Sequence, residues 1–251
     1  MVLSMSKWVG KVAVVTGASS GIGKEIAREL VRQGVTLVWQ DEFTLIEELA
    51  KETRNEKGKL YALKCDVQLE EDVVNVFKWI TDNLSEPVYI MINNAGVFGH
   101  TNLIDGDANI WKNVLDTNVF GLCLGTREAV RNMRANNVEG HIIHINSIGG
   151  HVIPYFYSSN VYPASKHAVT ALTETIRREF AANKVNIKIT SISPGIVNTD
   201  IVKDYGKMQA IMEQSPALIS EDVVDAVIYA LSTPPNVQVH DIILKPLHEH
   251  H

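Results

Sequence analysis

An alternation of short and long apolar patterns limits how this chain can fold more than any other feature. Seven short runs rich in β-branched residues occur at Val12 to Thr16, Thr36 to Trp39, Leu60 to Cys65, Val88 to Ile92, His141 to Asn146, Asn186 to Ser193 and Ile242 to Lys245. Between them lie longer segments with apolar residues at helical spacing: Gly21 to Gln33, Thr44 to Glu56, Glu70 to Leu84, Ala108 to Ala135, Val161 to Asn183 and Glu221 to Ser232. Consecutive strands separated by a helix pair in parallel, because the chain must cross back over a sheet face before the next strand begins. The spacing therefore predicts an α/β fold, a doubly wound parallel seven-stranded sheet with helices on both faces. A chain of 251 residues with 45% hydrophobic content, and with no linker or internal repeat, predicts a single domain over 1–251.

Charge and cysteine usage narrow the partners. A net charge of −6 without basic patches argues against nucleic acid or an anionic membrane as partner, and leaves a small molecule. No uninterrupted apolar run reaches the roughly 18 residues of a membrane span, and the stretch MVLSMSKWVGK lacks the apolar core of a signal peptide. Cys65 and Cys123 stand far apart without metal-ligand spacing, which suits reduced thiols and a cytoplasmic location. Asn83-Leu84-Ser85 is then a chance sequon, and the four tryptophans read as packing residues. The ending HEHH reads as a flexible tail over 247–251, with no converging ligands for a metal site.

The run VAVVTGASSGIGKEIA carries the first chemistry. The strand Val12 to Thr16 leads into Gly17, Gly21 and Gly23, with Ser19, Ser20 and Ile22 between and beside them. Such glycines tighten the turn and let backbone N–H groups at the next helix's start approach a pyrophosphate. Two extra residues separate the first and second glycines relative to the usual dinucleotide fingerprint. Further motifs follow in order: Asn93, Asn94, Ala95 and Gly96 after the fourth strand, Asn118 in the long helix, Ser147 after the fifth strand, then Tyr162 and Lys166 in YPASK, and Pro194, Gly195, Val197 and Thr199 in PGIVNT.

With the TGxxxGxG turn, these motifs resemble the short-chain dehydrogenase/reductase family along nearly the whole chain. The runs NSIGGH and YPASKHAVTAL are similar to those of the insect farnesol dehydrogenase and dehydrogenase/reductase member 11 branches. The resemblance implies strand order 3-2-1-4-5-6-7 and an NAD(P)-dependent exchange between an alcohol and its carbonyl. By the same resemblance, Tyr162 transfers a proton to or from the substrate oxygen and Ser147 hydrogen-bonds that oxygen. Lys166 would hold the nicotinamide ribose, and Asn118 would fix a water in the proton relay. Asp66 and Val67 match the adenine-binding pair.

Chemistry selects Tyr162 among the tyrosines of its segment. A free phenol titrates near pH 10, so acid/base work near neutrality asks the site to favour phenolate by about 4 kcal/mol. Lys166 follows Tyr162 by one helical turn and can bring an ammonium near it, whereas Tyr155 and Tyr157 have no such partner. At the end of the second strand, Asp41, with Glu42 beside it, can accept ribose hydroxyls and repel a 2′-phosphate. NAD is thereby favoured, while Lys24 or an arginine elsewhere leaves NADP open.

The stretch from Gly195 to Ser220 and the loop His151 to Asn160 should flank the reacting end of the cleft. Val152, Ile153, Phe156, Ile201, Val202, Tyr205, Met208, Ile211 and Met212 there suit an apolar substrate, isoprenoid, alicyclic or medium-chain, unless they serve only to pack the loop. The two longest helices carry more apolar circumference than one sheet face needs, which predicts a homodimer or homotetramer. A non-catalytic dinucleotide sensor on the same fold is the alternative, and it would be expected to lack part of the set Asn118, Ser147, Tyr162 and Lys166.

Overall fold

A computed structural model describes residues 3–40, 53, 55–153, 160–202 and 215–249. The strands are β1 (Val12–Thr16), β2 (Thr36–Gln40), β3 (Lys59–Leu63), β4 (Val88–Asn93), β5 (His141–Ile145), β6 (Lys188–Pro194) and β7 (Asp241–Leu244). They form one sheet in the order β3-β2-β1-β4-β5-β6-β7, and every pairing is parallel. Both the expected architecture and the expected order are present.

The helices are α1 (Gly21–Arg32), α2 (Glu70–Asn83), α3 (Ala108–Leu115), α4 (Leu122–Ala135), α5 (Tyr162–Ala182) and α6 (Ser220–Ser232). The helix expected over Thr44 to Glu56 falls mostly on residues outside those described. The segment expected as one helix from Ala108 to Ala135 is interrupted by a π-helical turn, Asp116–Gly121, that joins α3 to α4. The apolar pattern runs through the interruption, so nothing in the periodicity marked it.

Successive residues of β1 serve opposite faces, as the two-residue period of a strand requires. Ala13 and Val15 pack with Ile26 and Leu30 of α1 and Val223 and Val227 of α6. Val12 and Val14 pack with Val73, Phe77 and Ile80 of α2 and Met133 of α4. All five residues of β1 are buried, which is why its sequence is continuously apolar up to Thr16.

The second core also encloses a polar chain. The Thr173 hydroxyl donates to the Val169 carbonyl (2.7 Å) and so accepts from His144 Nδ1–H (2.8 Å). His144 Nε2 then accepts from the Thr126 hydroxyl (3.0 Å), which accepts from Asn93 Nδ2 (3.0 Å). Burial lowers the His144 imidazole to about 3, so it stays neutral with both ring nitrogens hydrogen-bonded. Cys65 and Cys123 are free thiols, both pushed up by burial, Cys65 to about 12. Among the described residues no helix is long and apolar enough to cross a membrane.

Candidate active site

The glycine-rich turn is bolted to the end of β4. Thr16 Oγ1 accepts from the N–H groups of Asn94 and Ala95, both at 3.0 Å, and Asn94 Nδ2 donates to the carbonyls of Thr16 (3.0 Å) and Gly17 (2.7 Å). Gly17 has φ +63°, and a Cβ there would lie 2.7 Å from the Cα of Ala95. A Cβ at Gly23 would lie 2.2 Å from the Gly17 carbonyl, so α1 can press against the turn only with glycine at that position. Ser20 ends the turn in an extended conformation without a side-chain cap, and the first turn of α1 holds no acidic residue. The Ser20 side chain therefore leaves the leading N–H groups of α1 uncapped, and the helix dipole favours an anion there.

At the far end of the same cleft stand Ser147, Tyr162 and Lys166. Ser147 follows β5 and caps a short 3-10 turn, its Oγ accepting from Gly149 N–H at 3.0 Å. Tyr162 opens α5 and packs against Phe98 with ring centroids 4.9 Å apart. Lys166, 6% exposed, lies one turn further on and donates to the Ile145 carbonyl at 3.0 Å. Its Nζ is 5.7 Å from the centre of the Tyr162 ring. Burial pushes the Tyr162 phenol up to about 12, with Ser147 working the other way, and lowers the Lys166 ammonium to about 8. Burial thus stabilises the phenol as the acid, opposite in direction to the shift that the Tyr162/Lys166 spacing alone would bring.

These two ends belong to one cleft of about 600 Å³. Gly17, Ser19, Ser20, Gly21, Ile22, Gly23, Asp66, Val67, Asn94, Ala95, Gly96, Ser147, Tyr162, Lys166, Pro194, Gly195, Val197 and Thr199 all line it. Asn94 and Asp66 have side chains engaged elsewhere. Asn94 acts as the strut between β1 and β4, and Asp66 Oδ1 accepts from Gln68 N–H at 2.9 Å, so it also caps its own turn.

Asn118 is 2% exposed and does not line the cleft. Its Oδ1 accepts from Val97 N–H (2.8 Å), and its Nδ2 donates to the Val97 carbonyl (2.9 Å) and Ser165 Oγ (3.1 Å). The side-chain amide thus ties the chain after β4 to α5. Asp41 and Glu42 lie outside the described residues, as do Tyr155, Phe156, Tyr157, Tyr205, Met208, Ile211 and Met212. The two ends of the 195–220 stretch are pinned together by a parallel bridge between Val197 and Leu218.

The cleft also has walls that spacing did not reveal. Phe98 faces Tyr162, and Lys64 lines the end near Asp66. Glu249 comes from the segment expected to be a flexible tail. Its side chain is 2% exposed and its Oε2 accepts from Ile196 N–H at 3.1 Å, so at this residue the tail is packed into the body. Phe98 and Lys64 each adjoin a recognisable motif, but no periodicity pointed to Glu249.

Residues 11–210 match the family model described as short chain dehydrogenase. The chain is 47% identical over 249 residues to a farnesol dehydrogenase of Aedes aegypti, covering 98% of this chain and 99% of that protein. It is 43% identical over 251 residues to dehydrogenase/reductase SDR family member 11 of Mus musculus, covering 96% of each. A solved short chain dehydrogenase/reductase from Burkholderia phymatum in complex with NAD is similar at a TM-score of 0.84 and 26% identity, covering 95% of this chain and 90% of that one.

Proposed function

The chain belongs to the short-chain dehydrogenase family, and from that premise we propose that it is an NAD(P)-dependent oxidoreductase interconverting an alcohol and its aldehyde or ketone. One observation carries this: the uncapped start of α1 and the set Ser147, Tyr162 and Lys166 open into the same cleft. A dinucleotide bound there would supply the hydride chemistry. The α1 N-terminus and its glycine turn would hold the pyrophosphate, Asp66 and Val67 the adenine side, and Lys166 the ribose nearest the reacting carbon. The glycine positions that forbid a Cβ and the missing helix cap fit such a group.

Within that frame Tyr162 Oη moves the proton and Ser147 Oγ holds the substrate oxygen. A phenol raised by burial stays protonated at neutral pH and so carries a proton for carbonyl reduction. Alcohol oxidation needs phenolate and draws on the buried Lys166 charge. Asn118 is a positioning residue, joining Val97 to Ser165 beside Lys166.

The cofactor choice lies at the ends of β2 and β3. Asp41 favours NAD by repelling a 2′-phosphate. Gln40 pairs with Leu63 in the parallel register, and Lys64, which follows Leu63, lines the cleft. Asp41 and Lys64 thus have opposite effects on a 2′-phosphate, with NAD favoured while the carboxylate is present. For the substrate, exposed Val152, Ile153 and Ile201 and the ring of Phe98 suit an apolar molecule, as does the name of the Aedes aegypti relative. Leu115 and Phe120, exposed on the α3 side, offer apolar surface for a homodimer or homotetramer.

The test is turnover with matched NAD and NADP across primary, secondary and allylic alcohols of rising carbon number. Efficiency should climb several-fold per carbon and then level off, since each buried methylene contributes about 0.8 kcal/mol. Tight dinucleotide binding without turnover on any of them would move the assignment to a sensor.

A further inference from the structure

The C-terminal segment supplies a charge that none of the family motifs contains. Glu249 lines the cleft together with Pro194, Gly195 and Ile196, beside the strand end that carries Ser147. Its carboxylate lies so close to the Gly195 backbone that a Cβ at Gly195 would fall 2.1 Å from Oε2 and 3.0 Å from Oε1. Oε2 accepts from Ile196 N–H, whereas Oε1 is buried with no hydrogen-bond partner. Among the described residues the cation paired with Oε1 is Lys245, whose Nζ is 3.7 Å away on the same segment. A buried carboxylate with one oxygen unfilled is costly, and it persists where charge is useful or where a ligand completes it.

We propose that Glu249 is a positioning residue for the dinucleotide: it clasps the Gly195–Ile196 turn and sets a fixed negative charge in the catalytic half of the cleft, where it favours the oxidised over the reduced nicotinamide. The inference rests on the dinucleotide reading given above. Its physical basis is that an oxidised nicotinamide carries a positive charge on its ring and the reduced ring is neutral. A carboxylate walled off from water distinguishes the two, and Lys245 opposes it. The Gly195 position has its own part, since any side chain there would displace the carboxylate.

Titrating oxidised and reduced dinucleotide separately, by calorimetry or quenching of intrinsic fluorescence, against wild type, Glu249→Gln and Lys245→Gln tests this without turnover. Glutamine keeps an oxygen for Ile196 N–H and removes the charge. The ratio of oxidised to reduced affinity should fall by about 3- to 10-fold in Glu249→Gln and rise in Lys245→Gln, the opposite signs that a charge effect demands. Equal losses for both forms would reduce Glu249 to a structural clasp and overturn the proposal, and so would unchanged ratios in both variants. Wild-type protein that binds neither form would instead overturn the dinucleotide reading itself, so the two failures are told apart.

Discussion

The Lys166 ammonium stands 5.7 Å from the centre of the Tyr162 ring and donates to the Ile145 carbonyl at the end of β5. Its effect on the phenol is therefore a through-space charge, and that charge is itself weakened by burial, which lowers Lys166 to about 8. As pH rises through that value the site loses its buried cation. The efficiency of carbonyl reduction, kcat/KM, should decline above about pH 8. In Lys166→Arg the decline should move to higher pH, because a guanidinium stays charged. A profile that is flat to pH 10 in the wild type would contradict this.

Gly17 is the second place where geometry makes a quantitative demand. Alanine there combines φ +63° with a Cβ 2.7 Å from the Ala95 Cα. Gly10 has φ +78° with nothing within 4 Å of a Cβ, so it isolates the cost of conformation. Gly17→Ala should lose roughly 2 kcal/mol or more of stability and weaken dinucleotide binding, while Gly10→Ala should lose about 1 kcal/mol and leave binding unchanged. Denaturant midpoints and a dinucleotide titration on the two variants measure the difference.

Acid sensitivity should trace to His144. Its imidazole is lowered in the folded chain to about 3 by burial, with Lys166 and Arg177 adding to the effect, against about 6.5 when unfolded. Between those values the unfolded chain binds a proton that the folded chain does not. Stability is therefore fully present above pH 6.5 and is lost as pH falls toward 3, by an amount on the order of a few kcal/mol. His141, also lowered by burial, adds in the same direction. His144→Gln should be less stable at neutral pH yet show a shallower pH dependence, read from urea midpoints across that window.

The surface at Leu115 and Phe120 gives a test of assembly. They are 41% and 48% exposed at the junction of α3 with the π turn. Light scattering at micromolar concentration should return a dimer or tetramer mass, and Phe120→Glu should lower it. A monomer mass for the wild type would remove the oligomer from the account.

How much of this was legible in the sequence differs by kind of feature. The strands were legible because they are short runs rich in β-branched residues, β1 being continuously apolar up to Thr16. The cleft was legible because Gly17, Gly23, Tyr162 and Lys166 must sit at set spacings to bring backbone and side chains together. The π turn at Asp116–Gly121 was not, since a wider helical turn leaves the apolar pattern intact. Glu249 was not, because its partners Gly195 and Ile196 are more than fifty positions away and a short charged tail carries no periodicity. The raised phenol of Tyr162 was also hidden, as burial depends on Phe98 and the surrounding packing more than on the neighbour one turn along.

The central claim is that Tyr162 Oη moves the proton in a dinucleotide-dependent exchange between alcohol and carbonyl. Tyr162→Phe removes that oxygen and keeps the ring against Phe98, so packing and cofactor binding should survive. Steady-state turnover of an apolar secondary alcohol should fall by about 10²-fold or more, with dinucleotide affinity within a few-fold of wild type. A Tyr162→Phe protein that retained a tenth of wild-type turnover would contradict the account.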